Sequence, residues 1–165
     1  MATSEWGPAT WKSLFISIMG RYPMRINTNS QEHLELARAF KNTLLDLRYT
    51  LPCVYCRRSY VEFTNELDIN GYLVGRIELM YWLYLIKDKV NKKLIAQEQI
   101  CYNRELSKLK LQYKYTDFTQ VSFQEKVKEL QKNIFKTIKS PPFESVLAHY
   151  ESFRAVCSES TLSCN

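Results

Sequence analysis

The chain is 165 residues long, 45% apolar and 13% aromatic, with a formal net charge of +6. That length and apolar content bound it to one domain, or one domain with an appended segment, able to build a core without covalent staples. Only 4 Gly and 5 Pro are present, too few for an architecture of tight hairpins, so helices are expected.

The N-terminal Met-Ala-Thr-Ser-Glu-Trp has neither a basic n-region nor an apolar h-region, so no secretory signal is expected. The first helix is carried by Trp11, Leu14, Phe15, Ile18, Met19 and Tyr22, which recur at helical spacing. Pro8 suits its first turn and Tyr22-Pro23 its stop. Ser30 reads as the N-cap of a second helix, with Leu34, Ala37, Phe40, Leu44 and Leu47 as the buried stripe. Leu51-Pro52 ends it, and the chain restarts at Cys53. A third helix is expected over 55–63, with Tyr60 and Phe63 on one side. A polar connector with Asn65, Asp68, Asn70 and Gly71 follows. The fourth helix, Arg76 to Leu94, is apolar almost all round in its first half, a pattern that implies burial on most sides. Its longest apolar run, Ile77 to Ile86, is interrupted by Glu78 and falls short of the roughly 20 residues that span a bilayer. A soluble, cytosolic protein without membrane attachment is expected.

After Leu94 the composition changes to Lys, Gln and Glu, with amphipathic spacing at Phe123, Val127, Leu130, Ile134 and Ile138. The Lys and Arg residues between Lys87 and Lys139 are interleaved with Glu, as on solvated helix faces. No nucleic-acid motif accompanies them, so a nucleic-acid partner is not expected. Ser140-Pro141-Pro142 is a break, and a last helix carries Phe143, Val146, Leu147, Tyr150 and Phe153 before a Ser-rich tail. No internal repeat is visible. The predicted fold is all-α: a compact core over residues 1–95, then a helical extension over 96–165 with a Cys-containing tail.

Five cysteines are informative if the compartment is reducing, because a Cys-x-x-Cys there is more often redox-active or metal-binding than structural. Cys53 and Cys56 are separated by two residues at a helix restart. The second sulfur of such a pair is expected against the helix start, where unpaired N–H groups and the dipole stabilise a thiolate. Arg57 and Arg58 add positive potential. Three readings of the pair stand side by side. It is a redox dithiol, half of a zinc site, or two inert buried thiols. Zinc normally wants two further Cys or His ligands at suitable spacing. Here Cys157 and Cys164 are separated by six residues, Cys101 stands alone, and His33 and His149 form no pair, so no metal is expected. Thioredoxin-like architecture is disfavoured, because nothing in the chain reads as alternating strands and helices.

The segments Trp6-Gly7-Pro8-Ala9-Thr10-Trp11, Tyr22-Pro23, Leu51-Pro52-Cys53-Val54-Tyr55-Cys56 and Trp82 with Val90-Asn91-Lys92-Lys93-Leu94 occur in a telling order. It resembles that of the Erv/ALR family of FAD-linked sulfhydryl oxidases, over residues 6 to about 95. The likeness extends to the versions encoded by large cytoplasmic DNA viruses through Cys56-Arg57-Arg58-Ser59-Tyr60 and Trp82-Leu83-Tyr84-Leu85-Ile86. The resemblance implies a four-helix bundle, usually a homodimer, holding the FAD isoalloxazine beside the Cys-x-x-Cys. It implies that Cys53 is the interchange sulfur for client dithiols and that Cys56 lies against the flavin. Electrons would pass to the Cys53–Cys56 disulfide, then FAD, then dioxygen, giving hydrogen peroxide. The clients would be thiol-containing proteins of the cytoplasm, or of the host cytoplasm or virion for a viral protein.

On the same resemblance, the FAD contacts fall on Gly7, Trp11, Phe15, Trp82, Lys87, Asp88, Val90, Asn91 and Leu94. Two of these depart from the family pattern where it has histidine, at Phe15 and Lys87, and Asp88 stands where it has asparagine. Phe15 is expected to stack, and Lys87 to meet a phosphate or ribose. Helical spacing sets Lys87, Asn91 and Leu94 on one face with Asp88 beside them. Without the resemblance, Trp11, Tyr81, Trp82 and Tyr84 read as packing residues. The alternative function is a flavin-free relative that acts as a dithiol–disulfide carrier or as a non-catalytic interaction module. Cys157 and Cys164 admit two readings: a mobile shuttle dithiol for the core pair, or a helix-end thiol and a free tail thiol.

Overall fold

The structure, a computed structural model, describes residues 3–114 and 120–154. Every element among them is helical, with no strand. No described helix is long and apolar enough to cross a membrane. The described residues form two compact units, one comprising residues up to 87 together with those from 141, the other residues 88–140.

In the first unit, α1 spans Thr3–Arg21 and buries Phe15, Ile18 and Met19. Pro8 lies inside it, in the second turn and not the first. There its missing N–H forgoes a backbone bond to the Ser4 carbonyl. Tyr22 closes the helix as expected, its N–H reaching the Ile18 carbonyl at 3.0 Å and its buried hydroxyl donating to the Leu73 carbonyl at 2.6 Å. Burial pushes that phenol up to about 12.

The second helix, α2 (Gln31–Thr50), starts at Ser30 as read, with the Ser30 hydroxyl accepting from the His33 N–H at 3.3 Å. The His33 Nδ1 accepts from the Asn27 N–H at 3.0 Å, holding the entry to the helix. Leu44 is buried, and Ala37, Phe40 and Leu47 pack on the core. Leu34, the first residue of the expected stripe, is exposed. After Leu51-Pro52 the chain restarts as α3 (Val54–Glu66). The two helices are tied by the buried Tyr60 hydroxyl, which donates to the Leu44 carbonyl at 2.7 Å. Phe63 packs on the core beside it.

Asp68 caps a short 3₁₀ turn at Ile69–Tyr72, and the chain then meets the segment after α1. Ile26 N–H bonds the Val74 carbonyl at 3.0 Å, and Arg76 donates from its backbone to the Pro23 carbonyl and from Nε to that of Tyr22. Gly75 is required here, since a Cβ would collide with the Met24 carbonyl. From this seam α4 runs Arg76–Lys114, burying Leu79, Met80, Trp82, Leu83 and Ile86 in its first turns. It does not end at Leu94 as expected. Neither Gly nor Pro occurs between Gly75 and Pro141, and the Lys, Gln, Glu and Leu that follow Leu94 are good helix formers.

The second unit is a helical hairpin of the later part of α4 and α5 (Gln120–Ile134). Antiparallel pairing is evident from Tyr113 on Phe123, with ring centroids 4.9 Å apart, and Tyr102 on Phe135 at 5.1 Å. At the far end the Glu98 carboxylate accepts from the Lys136 and Thr137 N–H groups. Ile138 lies beyond α5 and is 84% exposed, so it does not extend the amphipathic stripe.

The chain beyond Ser140 departs from the expected division. α6 (Phe143–Glu151) belongs to the first unit and not to an extension over 96–165. Its Phe143, Val146, Leu147 and Tyr150 pack on the core, whereas Phe153 falls outside the helix. Among the described residues, five α-helices therefore contribute to a core expected from four.

Candidate functional site

Cys53 is the N-cap of α3, in extended backbone conformation with φ −96° and ψ 122°. Its Sγ accepts the Cys56 backbone N–H at 3.3 Å, taking the place a Ser or Asp oxygen fills at other helix starts. The Cys53 thiol is held below its ordinary value. The largest cause is a hydrogen bond from the Cys56 side chain, opposed by partial burial and aided by the Cys56 and Tyr55 backbone N–H groups and the Arg57 charge. Arg57 is positioned by its own bond, Nη1 donating to the Leu51 carbonyl at 2.5 Å. Leu51 in turn ends α2, its N–H on the Leu47 carbonyl at 3.1 Å.

The expectation for the pair is thereby reversed in one respect. The sulfur seated on the helix start is the first, Cys53, and not the second. A helix N-cap residue points its side chain back over the N–H groups of the first turn, a geometry open to Cys53 alone. Both sulfur-bearing residues are half-buried. The arrangement supplies a thiol whose ionised form is favoured, an adjacent thiol and partial solvent access, which suit dithiol–disulfide exchange.

Cys101 lies in the second unit on α4, with Arg104 Nη2 at 3.8 Å from its sulfur. Cys157 and Cys164 lie outside the described residues. Among the described residues, no group of three or more His, Cys, Asp or Glu is arranged to hold a metal ion.

The cofactor set is only partly brought together. Trp82 is fully buried, and its indole N–H donates to the Leu67 carbonyl at 2.9 Å. Phe15 is 1% exposed, and the Tyr150 ring lies on it at 4.8 Å between centroids and 18° between planes. An isoalloxazine stacked on Phe15 does not fit this packing, because Tyr150 holds that ring face. Trp11 is half-buried against the core. Gly7 has open space where a Cβ would stand. Beside it the Trp6 indole nitrogen is buried with no hydrogen-bond partner among the described residues, a donor suited to an acceptor-bearing ligand.

Lys87 is the last α4 residue of the first unit; Asp88, Val90, Asn91 and Leu94 belong to the second. They follow one another along α4, as the spacing predicts. Asp88 pairs with Lys92 at 2.7 Å, and Asn91 Nδ2 donates to the Ser140 hydroxyl at 3.0 Å. Leu94 is exposed.

Tyr150 and Trp6 were not candidates on sequence. Tyr150 was readable as a core residue of the last helix, but its partner across the chain was not. Trp6 was visible within the first motif, though no spacing rule marks an unmatched indole N–H. No protein-family model matches the chain, and no curated protein matches it either.

Proposed function

We propose that the chain is a thiol oxidase of the sulfhydryl-oxidase type, introducing disulfides into cytoplasmic client proteins through Cys53 and Cys56, with FAD as its cofactor. The observation that carries the reading is the seat of Cys53 Sγ on the start of α3, bonded by the Cys56 N–H. In the oxidised form Cys53 and Cys56 share a disulfide. A client thiolate attacks Cys53 Sγ, the S–S bond breaks, and Cys56 leaves as a thiolate. A second client thiolate then attacks the client sulfur of the mixed disulfide, and Cys53 leaves. The client loses two electrons and the pair gains them. A depressed thiol value makes Cys53 a better leaving group in that second step.

The FAD assignment rests on the ordered motifs and on the unmatched Trp6 indole N–H. When bound, a flavin supplies a two-electron acceptor. A second reading, a flavin-free dithiol–disulfide carrier, is favoured by the Tyr150 ring on Phe15. The purified protein decides between them. A yellow preparation with dithiothreitol-dependent oxygen uptake, lost in Cys56→Ser, supports the oxidase. Colourless protein that takes up no added FAD yet exchanges with a partner disulfide supports the carrier. Absence of both activities would overturn the redox reading altogether.

A further inference from the structure

Helix α6 is held differently from the other helices of the first unit. It has nine residues, a length at which an isolated helix is marginal in water and depends on its packing. α1 to α4 each bury side chains completely, whereas α6 buries none. Its N-cap, Pro142, makes no side-chain hydrogen bond, and residues 135–142 ahead of it are neither helix nor strand. What holds it on the core is a set of half-buried apolar side chains, Phe143, Val146, Leu147 and Tyr150.

Those side chains lie across two helices. Tyr150 stacks on Phe15 of α1, with centroids 4.8 Å apart and planes within 18°. Phe143 stands edge-on to Tyr81 of α4 and tilted against Tyr84 at 5.4 Å. The Tyr84 hydroxyl also holds the Pro141 carbonyl, just ahead of α6, at 2.9 Å. α1 and α4 are the two helices on which the resemblance sets every flavin contact, and Phe15 is one of those contacts. The Tyr150 ring thus has the geometry on Phe15 that a flat heteroaromatic ring would need, and one ring face takes one such partner.

We propose that α6 is a lid on a stacking site. Tyr150 and the flat ring of a bound flavin take the same face of Phe15 in turn, so binding of the ring and docking of α6 exclude one another. With the lid down, the chain's own tyrosine covers Phe15. With a flavin bound, α6 leaves α1 and α4, pivoting at Pro142 beyond the Tyr84–Pro141 bond. Apparent affinity falls with the fraction of molecules whose site is open, so α6 sets how much flavin the protein holds. This inference rests on the cofactor reading proposed above and adds to it control by a segment of the same chain.

The test follows the full-length protein, freed of flavin and then titrated with FAD. Two measurements are made together: quenching of FAD fluorescence for binding, and amide hydrogen exchange of residues 143–151 by mass spectrometry for the lid. Saturating FAD is expected to speed exchange in 143–151 about tenfold while leaving α2 unchanged, as for a segment that opens locally. Tyr150→Ala removes the competing ring and is expected to tighten FAD binding about fivefold, the scale of one stacked pair. Leu147→Asp keeps both rings but loosens α6, and is expected to tighten binding in the same direction. The exchange measurement on the wild-type chain stands without either variant.

FAD that binds while exchange in 143–151 stays the same or slows would overturn the lid and leave the cofactor reading standing. So would FAD affinities that neither folded variant raises, since exclusion between two partners is reciprocal. FAD bound by neither the wild type nor the variants would overturn the cofactor reading itself, and the lid with it.

Discussion

The turn at Cys53 and the aromatic seam at Phe15 and Trp82 are built on opposite principles. At the turn every group is held by near neighbours in sequence: Cys53 by Cys56, Arg57 by Leu51, Leu51 by Leu47. The result is a sulfur on a hydrogen-bonded corner with Val54 and Tyr55 exposed beside it in sequence. At the seam, every partner is distant. Tyr150 lies on Phe15, the Trp82 indole meets the Leu67 carbonyl, and Phe143 stands edge-on to Tyr81 at 4.9 Å. Phe15 and Trp82 are buried there. Chemistry can therefore be changed at the turn with little effect on stability, whereas changes at the seam act on stability first.

The sharpest way to break the contrast is at the turn. Cys53→Ser leaves a hydroxyl that can still cap α3, so the fold is expected to persist with near-native circular dichroism. Disulfide exchange should fall by at least about a hundredfold, since a serine hydroxyl is not an exchange nucleophile. A folded variant that still exchanged would assign the chemistry to another cysteine.

Trp82→Ala is the corresponding experiment at the seam. It removes a fully buried ring and leaves the Leu67 carbonyl unmatched. A loss of about 3–5 kcal/mol is expected in denaturant unfolding. A loss under about 1 kcal/mol would mean that the seam is looser than its burial indicates.

A smaller effect is expected from Tyr150→Ala, because α6 has no fully buried residue. The stacked pair contributes on the order of 1 kcal/mol beyond area. The variant also bares one face of Phe15, so FAD uptake by apoprotein, followed by fluorescence quenching, should exceed that of the wild type. Equal uptake would separate α6 from cofactor binding.

The smallest effect tests the electrostatics of the turn. The Cys53 value is depressed in the folded chain, so its ionisation favours the folded reduced state fully above the ordinary thiol value. That contribution is lost as pH falls through the lowered folded value. Alkylation of Cys53 should accordingly have its pH midpoint below that of an ordinary cysteine. Arg57→Gln should move the midpoint upward, and only slightly, since hydrogen bonds from Cys56 outweigh the Arg57 charge.

What could be read from residues alone follows the same division. Ser30 as a cap, Leu51-Pro52 as a stop and Cys53 as a restart are local signals, each decided within about one helical turn, and the structure places all three there. The all-helical class followed from scarce Gly and Pro and from the spacing of apolar residues. Two features needed information that sequence neighbours do not carry. The continuation of α4 past Leu94 turns on the absence of a breaker, which is weaker than the presence of one. The return of α6 depends on Phe143, Val146, Leu147 and Tyr150 meeting residues of α1 and α4, and amphipathic spacing reveals an apolar face without naming what covers it. In the candidate site the dithiol was legible because its chemistry lies in two residues three apart. The Phe15 stack was assigned to a ligand because the chain's own Tyr150 is far away in sequence.

The hydrogen bond from the Tyr84 hydroxyl to the Pro141 carbonyl, at 2.9 Å, bears on how such a protein can change over evolution. It brings the departure point of the 88–140 hairpin close to its point of return, and Asn91 with Ser140 repeats the closure within the hairpin itself. An excursion whose two ends already meet adds little closure entropy as it grows or shrinks. Its part beyond Leu94 is therefore expected to tolerate lengthening or trimming while the residues that pack α6 onto the core remain where they are.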